Sequence, residues 1–143
     1  MGYFGAMALD PDLFHGLSDF RYALRRFLSA SEVISRAAGV TQQQYQAMLA
    51  IKASDERGMA MKDLAGQLLL TQHAAVQMMD RLARAGLAER RQAPGDRRSV
   101  LVALTARGEG VVSELAAAHL AEMLRQEPLL RRSLTRLKRL GRK

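Results

Sequence analysis

Most of this chain carries apolar residues at helical spacing, but one stretch breaks the pattern: RRQAPGDRRSVLVALT, beginning at Arg90. Pro94 fixes its own φ and Gly95 tolerates positive φ, so a tight reversal belongs there. Leu87 to Gln92 and Ser99 to Leu104 have the length of two hairpin strands. One hairpin inside a helical chain narrows the available folds sharply. The segments ahead of it narrow them further. MAMKDLAGQLLL reads as a short helix that buries Leu64, Ala65 and Leu68. TQHAAVQMMDRLARAG reads as a second helix, capped by Thr71 and closed by Gly86, with Ala75, Met78, Met79 and Leu82 inward.

Two short helices joined by a tight turn and followed at once by a hairpin describe a winged helix-turn-helix. The remaining segments are helical, so the fold class is mainly α with a small β-hairpin. Leu13, Leu17, Phe20, Leu24 and Phe27 form an apolar seam on a long helix that Gly39 stops near Ala38. Such a seam packs against another helix, which a second chain can supply. In VTQQQYQAMLAIKAS, Thr41 and Gln44 make a capping box with Val40 and Tyr45 as its staple, predicting a helix to about Ser54. SDERG is a turn. After the hairpin, Thr105 caps a long helix through Val112, Leu115, Leu120 and Leu124, which Pro128 interrupts. Leu130, Leu134 and Leu137 define a last amphipathic helix. Residues 41–110 are thus assigned to the winged helix-turn-helix, and residues 10–40 and 111–143 to a helical dimerisation region.

A helix N-terminus offers free N–H groups and a positive dipole end to a phosphate, and the Thr71 hydroxyl can add to them. Gln72, His73 and Gln77 are short and polar enough to reach base edges. Glutamine bonds adenine through N6 and N7, and a histidine N–H donates to guanine N7 or O6. His73, Gln77, Asp80 and Arg84 lie opposite the inward side, flanked by Gln72 and Arg81, while Ala74 offers only methyl contact or clearance. At the hairpin tip, Arg98 suits a narrow A·T-rich minor groove. Asp96 is expected to hold its guanidinium by a bidentate pair, and Arg97, Arg90 and Arg91 are assigned to phosphates. The plain alternative is a solvated helix face beside an exposed ion pair worth roughly 0–1 kcal/mol. Two arginines at one tip exceed what a turn needs, so the duplex-DNA reading is preferred.

Composition excludes more than it assigns. A chain of 143 residues, 48% hydrophobic and 25% charged, fits one domain with a real core, or a small domain plus an oligomerisation element. The absence of Cys rules out disulfides, thiolate metal sites and cysteine redox chemistry. No apolar run approaches the roughly 20 residues needed to cross a bilayer. MGYFGAMALDPDLF lacks a basic n-region, so no signal peptide is read and a cytoplasmic protein without membrane partners is expected. His15, His73 and His119 are far apart, and no acid–histidine set has metal-ligand spacing. GLSDF lacks the final glycine of a nucleophile elbow, and RGEGVVSE has Ser113 where a dinucleotide fingerprint needs its third glycine. Neither an enzyme nor a cofactor is expected. His119 reads as a half-buried surface residue, with inducer contact as the alternative. Met48, Met59 and Met61 read as core filler that could also make a nearby crevice adaptable.

Net charge is +8, unevenly spread. Residues 1–60 hold six Lys/Arg against six Asp/Glu, whereas residues 61–143 hold sixteen against eight. That is the electrostatic footprint of a polyanion binder. RNA recognition favours stacking aromatics, which the reading helix and hairpin lack. A winged-helix module for protein interaction or RNA binding stays as the alternative.

GVTQQQYQAMLAI, MKDLAGQLLLTQHAAVQMMDRLARAGLAERR and GDRRSVLVALTARGEGVV together resemble the MarR family of bacterial transcriptional regulators. The likeness runs through about residues 24–115. Its most specific parts are DRLARAGLAERR and the wing pattern Asp-x-Arg, followed by a hydrophobic strand with Leu104, Thr105 and Gly108. The resemblance implies a homodimer whose terminal helices build the interface and which binds a pseudo-palindromic operator. Many members are repressors released by a small aromatic or phenolic ligand. By position, Thr71, Gln72, His73 and Gln77 fall on the recognition helix, and Asp96 and Arg98 on the wing. Two departures stand out: Leu69 replaces a glycine common in the turn, and LLRRSLTRLKRLGRK is unusually basic. This tail reads first as a solvated outer face, with a second phosphate contact or a weak membrane-surface helix as alternatives.

Overall fold

Capping chemistry sets most of the element boundaries. In the computed structural model, which describes residues 10–142 and only the backbone of Arg97, the order is α1 (Pro11–Ala37), α2 (Gln42–Ala53), β1 (Met59–Ala60), α3 (Met61–Leu68), α4 (Gln72–Arg84), β2 (Ala88–Ala93), β3 (Asp96–Leu104) and α5 (Ala106–Gly141). The stretch read for a leader falls mostly on residues 1–9, outside the described residues. Gly39, at φ +82, ends the first helical run. The Thr41 hydroxyl then accepts from the Gln44 N–H at 3.0 Å, and Gln44 Oε1 accepts from the Thr41 N–H at 2.9 Å. This is the expected capping box, with Val40 and Tyr45 buried beside it.

The chain divides into two compact units, Ile34–Ala117 and Met1–Val33 with Ala118–Lys143. The first has one hydrophobic core: Tyr45, Met48 and Ile51 from α2, Leu64 from α3, Met78, Met79 and Leu82 from α4, Val102 and Leu104 from β3, and Val112 and Leu115 from α5. The spacing of α4 predicted its inward side. Leu68 packs at the core's edge, with Met61, while Met48 and Met59 lie inside it. The sheet has the order β1-β3-β2 and is antiparallel throughout. Arg90 faces Val102, Ala93 faces Asp96, and Gly95 at φ +78 completes the reversal. Strand β1 was not expected, because two residues carry no alternation to detect. It forms where Gly58, at φ +118, runs against β3: a Cβ there would stand 2.8 Å from the Val102 carbonyl oxygen.

One expectation is corrected. Pro128 does not divide the last helix, since α5 runs for 36 residues with Pro128 inside it. Proline removes one N–H and crowds the carbonyl four residues back. That is a local loss, and the turns on either side sustain the helix. Within the helical unit, Leu17 and Leu24 of the α1 seam stay 45% and 39% exposed in the single chain, open to a helix from a second chain, while Gly16, Ala23 and Ser31 are buried. Small residues let α5 approach closely, and a Cβ on Gly16 would lie 2.8 Å from Leu137 Cδ2. Phe20 and Phe27 are left half-buried at the margins.

Helix α3 ends at Leu69, which is left-handed at φ 54, ψ 39 and 92% exposed. A β-carbon in this conformation costs about 1–2 kcal/mol, and no burial offsets it. Leu69→Gly should therefore stabilise the fold by about 0.5–1 kcal/mol after the added entropy of the unfolded chain is counted. The expected reading is a rise in Tm of roughly 2–4 °C. An unchanged or lower Tm would contradict it.

Candidate nucleic-acid interface

Thr71 caps α4 in extended geometry (φ −64, ψ 158), and its hydroxyl oxygen accepts from the Ala74 N–H at 3.1 Å. The Ala75 N–H is taken by the Thr71 carbonyl at 3.0 Å. The N–H groups of Gln72 and His73 have no partner among the described residues, so two donors at the positive end of the helix face solvent. His73, Gln77 and Arg81 are exposed on the side away from buried Ala75, Met78, Met79 and Leu82, and Gln72 is exposed in the first turn. Ala74 is half-buried.

The hairpin is anchored to this helix by a contact the sequence reading missed. Arg90 Nη2 lies 2.6 Å from Asp80 Oδ1, joining β2 to α4 with both side chains half-exposed. Arg91 is held by its neighbour Glu89 at 2.8–2.9 Å. Both arginines had been assigned to phosphates alone; each already has a carboxylate. A charged position ten residues from another is a weak signal unless the helix-to-strand turn between them is already known.

At the tip, the expected grip of Asp96 on the Arg98 guanidinium is corrected. Asp96 Oδ1 instead accepts from the Arg98 backbone N–H at 2.9 Å, and Oδ2 from the Ser99 hydroxyl at 2.8 Å. An aspartate at the start of a turn reaches N–H groups two residues on more readily than a long side chain. Its carboxylate shapes the tip, and the Arg98 side chain extends into solvent with no carboxylate partner among the described residues. The Arg97 side chain lies outside the described residues.

The two ends of the hairpin and the start of α5 meet at one junction. Gly86 takes φ +73, the Thr105 hydroxyl donates to its carbonyl at 2.6 Å, and the Thr105 N–H donates to the Leu87 carbonyl at 3.1 Å. The Thr105 hydroxyl also accepts from the Gly108 N–H at 3.1 Å. A Cβ on Gly108 would land on the Leu87 carbonyl oxygen and within 2.9 Å of its carbon, so only glycine fits.

His119 is corrected as well. It is 5% exposed in the helical unit, with Nε2 2.6 Å from Ser31 Oγ and its ring edge-on to Phe27 at 6.2 Å. It is an interior residue between α1 and α5. No helix among the described residues is long and apolar enough to cross a membrane, and no group of three His, Cys, Asp or Glu among them could hold a metal.

Residues 38–99 match the model of the MarR family. No curated protein matches the chain in sequence. Among solved structures, AbsC, a MarR family transcriptional regulator from Streptomyces coelicolor, is 22% identical, with a TM-score of 0.75 over 92% of this chain and 90% of AbsC. Sco3205, a MarR family regulator from the same organism solved in complex with DNA, is 21% identical, with a TM-score of 0.72 over 93% and 87%. CouR from Rhodococcus jostii RHA1, solved bound to p-coumaroyl-CoA, is 21% identical, with a TM-score of 0.69 over 83% and 79%. These likenesses establish the fold, a winged helix with long terminal helices.

The Asp96 contacts carry a pH signature. Hydrogen bonds from the Arg98 N–H and then the Ser99 hydroxyl hold its carboxyl below the ordinary carboxylate range. Because the folded value is depressed, the contribution to hairpin order is present above about pH 4 and is lost as pH falls through the folded value. NMR titration should give Asp96 a midpoint below 3.8, with the Arg98 amide shift following the same curve. An ordinary midpoint would show that these bonds do not persist in solution.

Proposed function

Because the chain belongs, through residues 38–99, to the MarR family of transcriptional regulators, we propose that it is a repressor that binds a pseudo-palindromic duplex operator as a homodimer. One observation carries this reading: the open N-terminus of α4 and the arginine-bearing hairpin share one unit and are tied together by Asp80 and Arg90. In the proposed complex, α4 enters a major groove with Gln72, His73 and Gln77 at base edges. Thr71 and Arg81 take phosphates, as does Arg97. Arg98 lies in the adjacent minor groove, and Asp96 shapes the tip that presents it. Arg90 and Arg91 position the hairpin and offer their remaining N–H groups to the backbone. Two copies of α4 reach successive major grooves about one helical turn apart, roughly 34 Å.

The helical unit supports the homodimer. Leu17, Leu24, Leu28 and Val33 of α1 and Leu120, Met123 and Leu124 of α5 are all more than a third exposed in the single chain. A concentration of large apolar side chains on one small unit marks a surface that another protein covers. For control, the p-coumaroyl-CoA bound to CouR makes a small aromatic acyl compound the effector class to try first. Such a ligand releases DNA only if it binds the DNA-incompatible state more tightly.

Gel-shift titration at several salt concentrations tests the reading. Duplex DNA should bind with an affinity that falls steeply with salt, and sedimentation at micromolar concentration should find a dimer. Equal binding of single-stranded RNA, or a stable monomer, would overturn it. Arg98→Ala should weaken duplex binding by about 5- to 150-fold, given ~1–3 kcal/mol per readout contact. Its Tm should stay within about 1 °C, since the guanidinium supports nothing in the fold; a large melting shift would make it structural.

A further inference from the structure

The positive charge of this protein is not concentrated where the hairpin is. The Ile34–Ala117 unit holds eleven Lys/Arg against eight Asp/Glu, while residues 118–143 alone hold eight against two. Those cations lie on α5 in a pattern. Arg125, Arg132 and Arg139 recur every seven residues, so at 3.6 residues per turn they drift by only about 20° per step. Arg136 falls on the same face. All four are exposed. Arg132 and Arg139 have no carboxylate partner among the described residues. Arg125 meets only Glu122 of its own helix, and Arg136 reaches Asp12 and Asp19 at the long distances of 3.9 and 3.8 Å. The buried residues His119, Gln126, Ser133 and Leu140 lie on another side of the helix.

We propose that this stripe is a second nucleic-acid surface, which grips the phosphate backbone of a duplex segment separate from the operator and reads no sequence. The proposal rests on the regulator reading only in choosing DNA as the polyanion. Three features favour it. The stripe is made of arginine, whose planar fork matches phosphate oxygens, where a solvated face needs only lysine. Successive arginines are about 10.5 Å apart along one side of the helix, so they present a row of cations to a charged backbone. An interfacial membrane helix gives the bilayer the apolar face opposite its cations, and on α5 that face, with Leu120, Met123 and Leu134, is the one proposed to be covered by a second copy.

The test uses the full chain and two labelled duplexes, one carrying the selected operator and one of arbitrary sequence. Wild-type protein should capture the arbitrary duplex on the immobilised operator. Arg125→Gln/Arg132→Gln/Arg139→Gln should reduce that capture at least tenfold while changing operator affinity less than threefold. Glutamine keeps helix propensity, and the double variant Arg132→Gln/Arg139→Gln should show the same effect in part if the triple variant folds poorly. Arg98→Ala should weaken operator binding yet keep salt-sensitive binding to the arbitrary duplex. Undiminished capture by a folded triple variant would overturn the stripe. So would a wild type that binds the operator but never a second duplex, or one whose stripe binds phosphatidylglycerol vesicles in place of DNA. These results leave the regulator reading standing; failure to bind any duplex would overturn both.

Discussion

The Leu87 carbonyl is the point on which the Ile34–Ala117 unit depends. It accepts from the Thr105 N–H, and Gly108 lies against it without a Cβ. The Thr105 hydroxyl spans the same joint, donating to Gly86 and accepting from Gly108. Four short segments therefore converge: the end of α4, both feet of the hairpin and the first turn of α5. A hairpin of two strands is marginal alone in water. Here its base is closed by hydrogen bonds, its inner residues Val102 and Leu104 enter the core, and β1 pairs along its other edge. The exit direction of the hairpin is thus set by backbone geometry, independently of the charges it carries.

Those charges divide by what they touch. Arg90 and Arg91 are half-exposed and engaged by carboxylates, so each loses less conformational freedom on meeting a further anion. Exposed pairs of this kind add little to stability, typically below about 1 kcal/mol. Their value lies in orientation. Asp96 acts differently, spending both oxygens on the turn itself and leaving the Arg98 cation uncompensated. A guanidinium already neutralised by its neighbour would have to give up that partner in a minor groove. One held away from carboxylates meets the phosphates' potential at full charge, and the residue that shapes the turn need not be displaced.

Much of this was legible in the sequence because it rests on local signals. The Thr41–Gln44 box, the Thr71 cap, the Pro94–Gly95 reversal and the inward side of α4 depend on spacings of two to four residues. What escaped was non-local or too short. β1 has two residues, and its cause is a glycine lying against a strand some forty residues away. Asp80–Arg90 joins a helix to a strand, and the true use of Asp96 was hidden by a plausible longer-range partner. Leucines at helical spacing show that a face is apolar, but small residues decide which face a neighbouring helix can approach most closely. Pro128 misled because proline's penalty is local, while the length of α5 is supported over many turns.

Helix α5 also resolves an apparent conflict between association and charge. A second copy packed on a helix with so many cations would be repelled if both features shared one side. Turning by about 100° per residue, Leu120, Met123 and Leu134 lie on the far side of the helix from Arg125, Arg132 and Arg139. All three apolar residues are 43–56% exposed in the single chain. The residues buried against α1, including His119, Gln126 and Ser133, occupy a third sector. The stripe of Arg125, Arg132 and Arg139 is thus set apart from Leu120, Met123 and Leu134, with Leu124 and Arg131 between the two and Lys138 on the side of Leu120. Covering the apolar sector with a second copy would leave the arginine stripe exposed and add an equivalent stripe on the partner. Repulsion between stripes on two copies is screened beyond roughly 8 Å at physiological salt, so a stripe on each copy does not by itself oppose association.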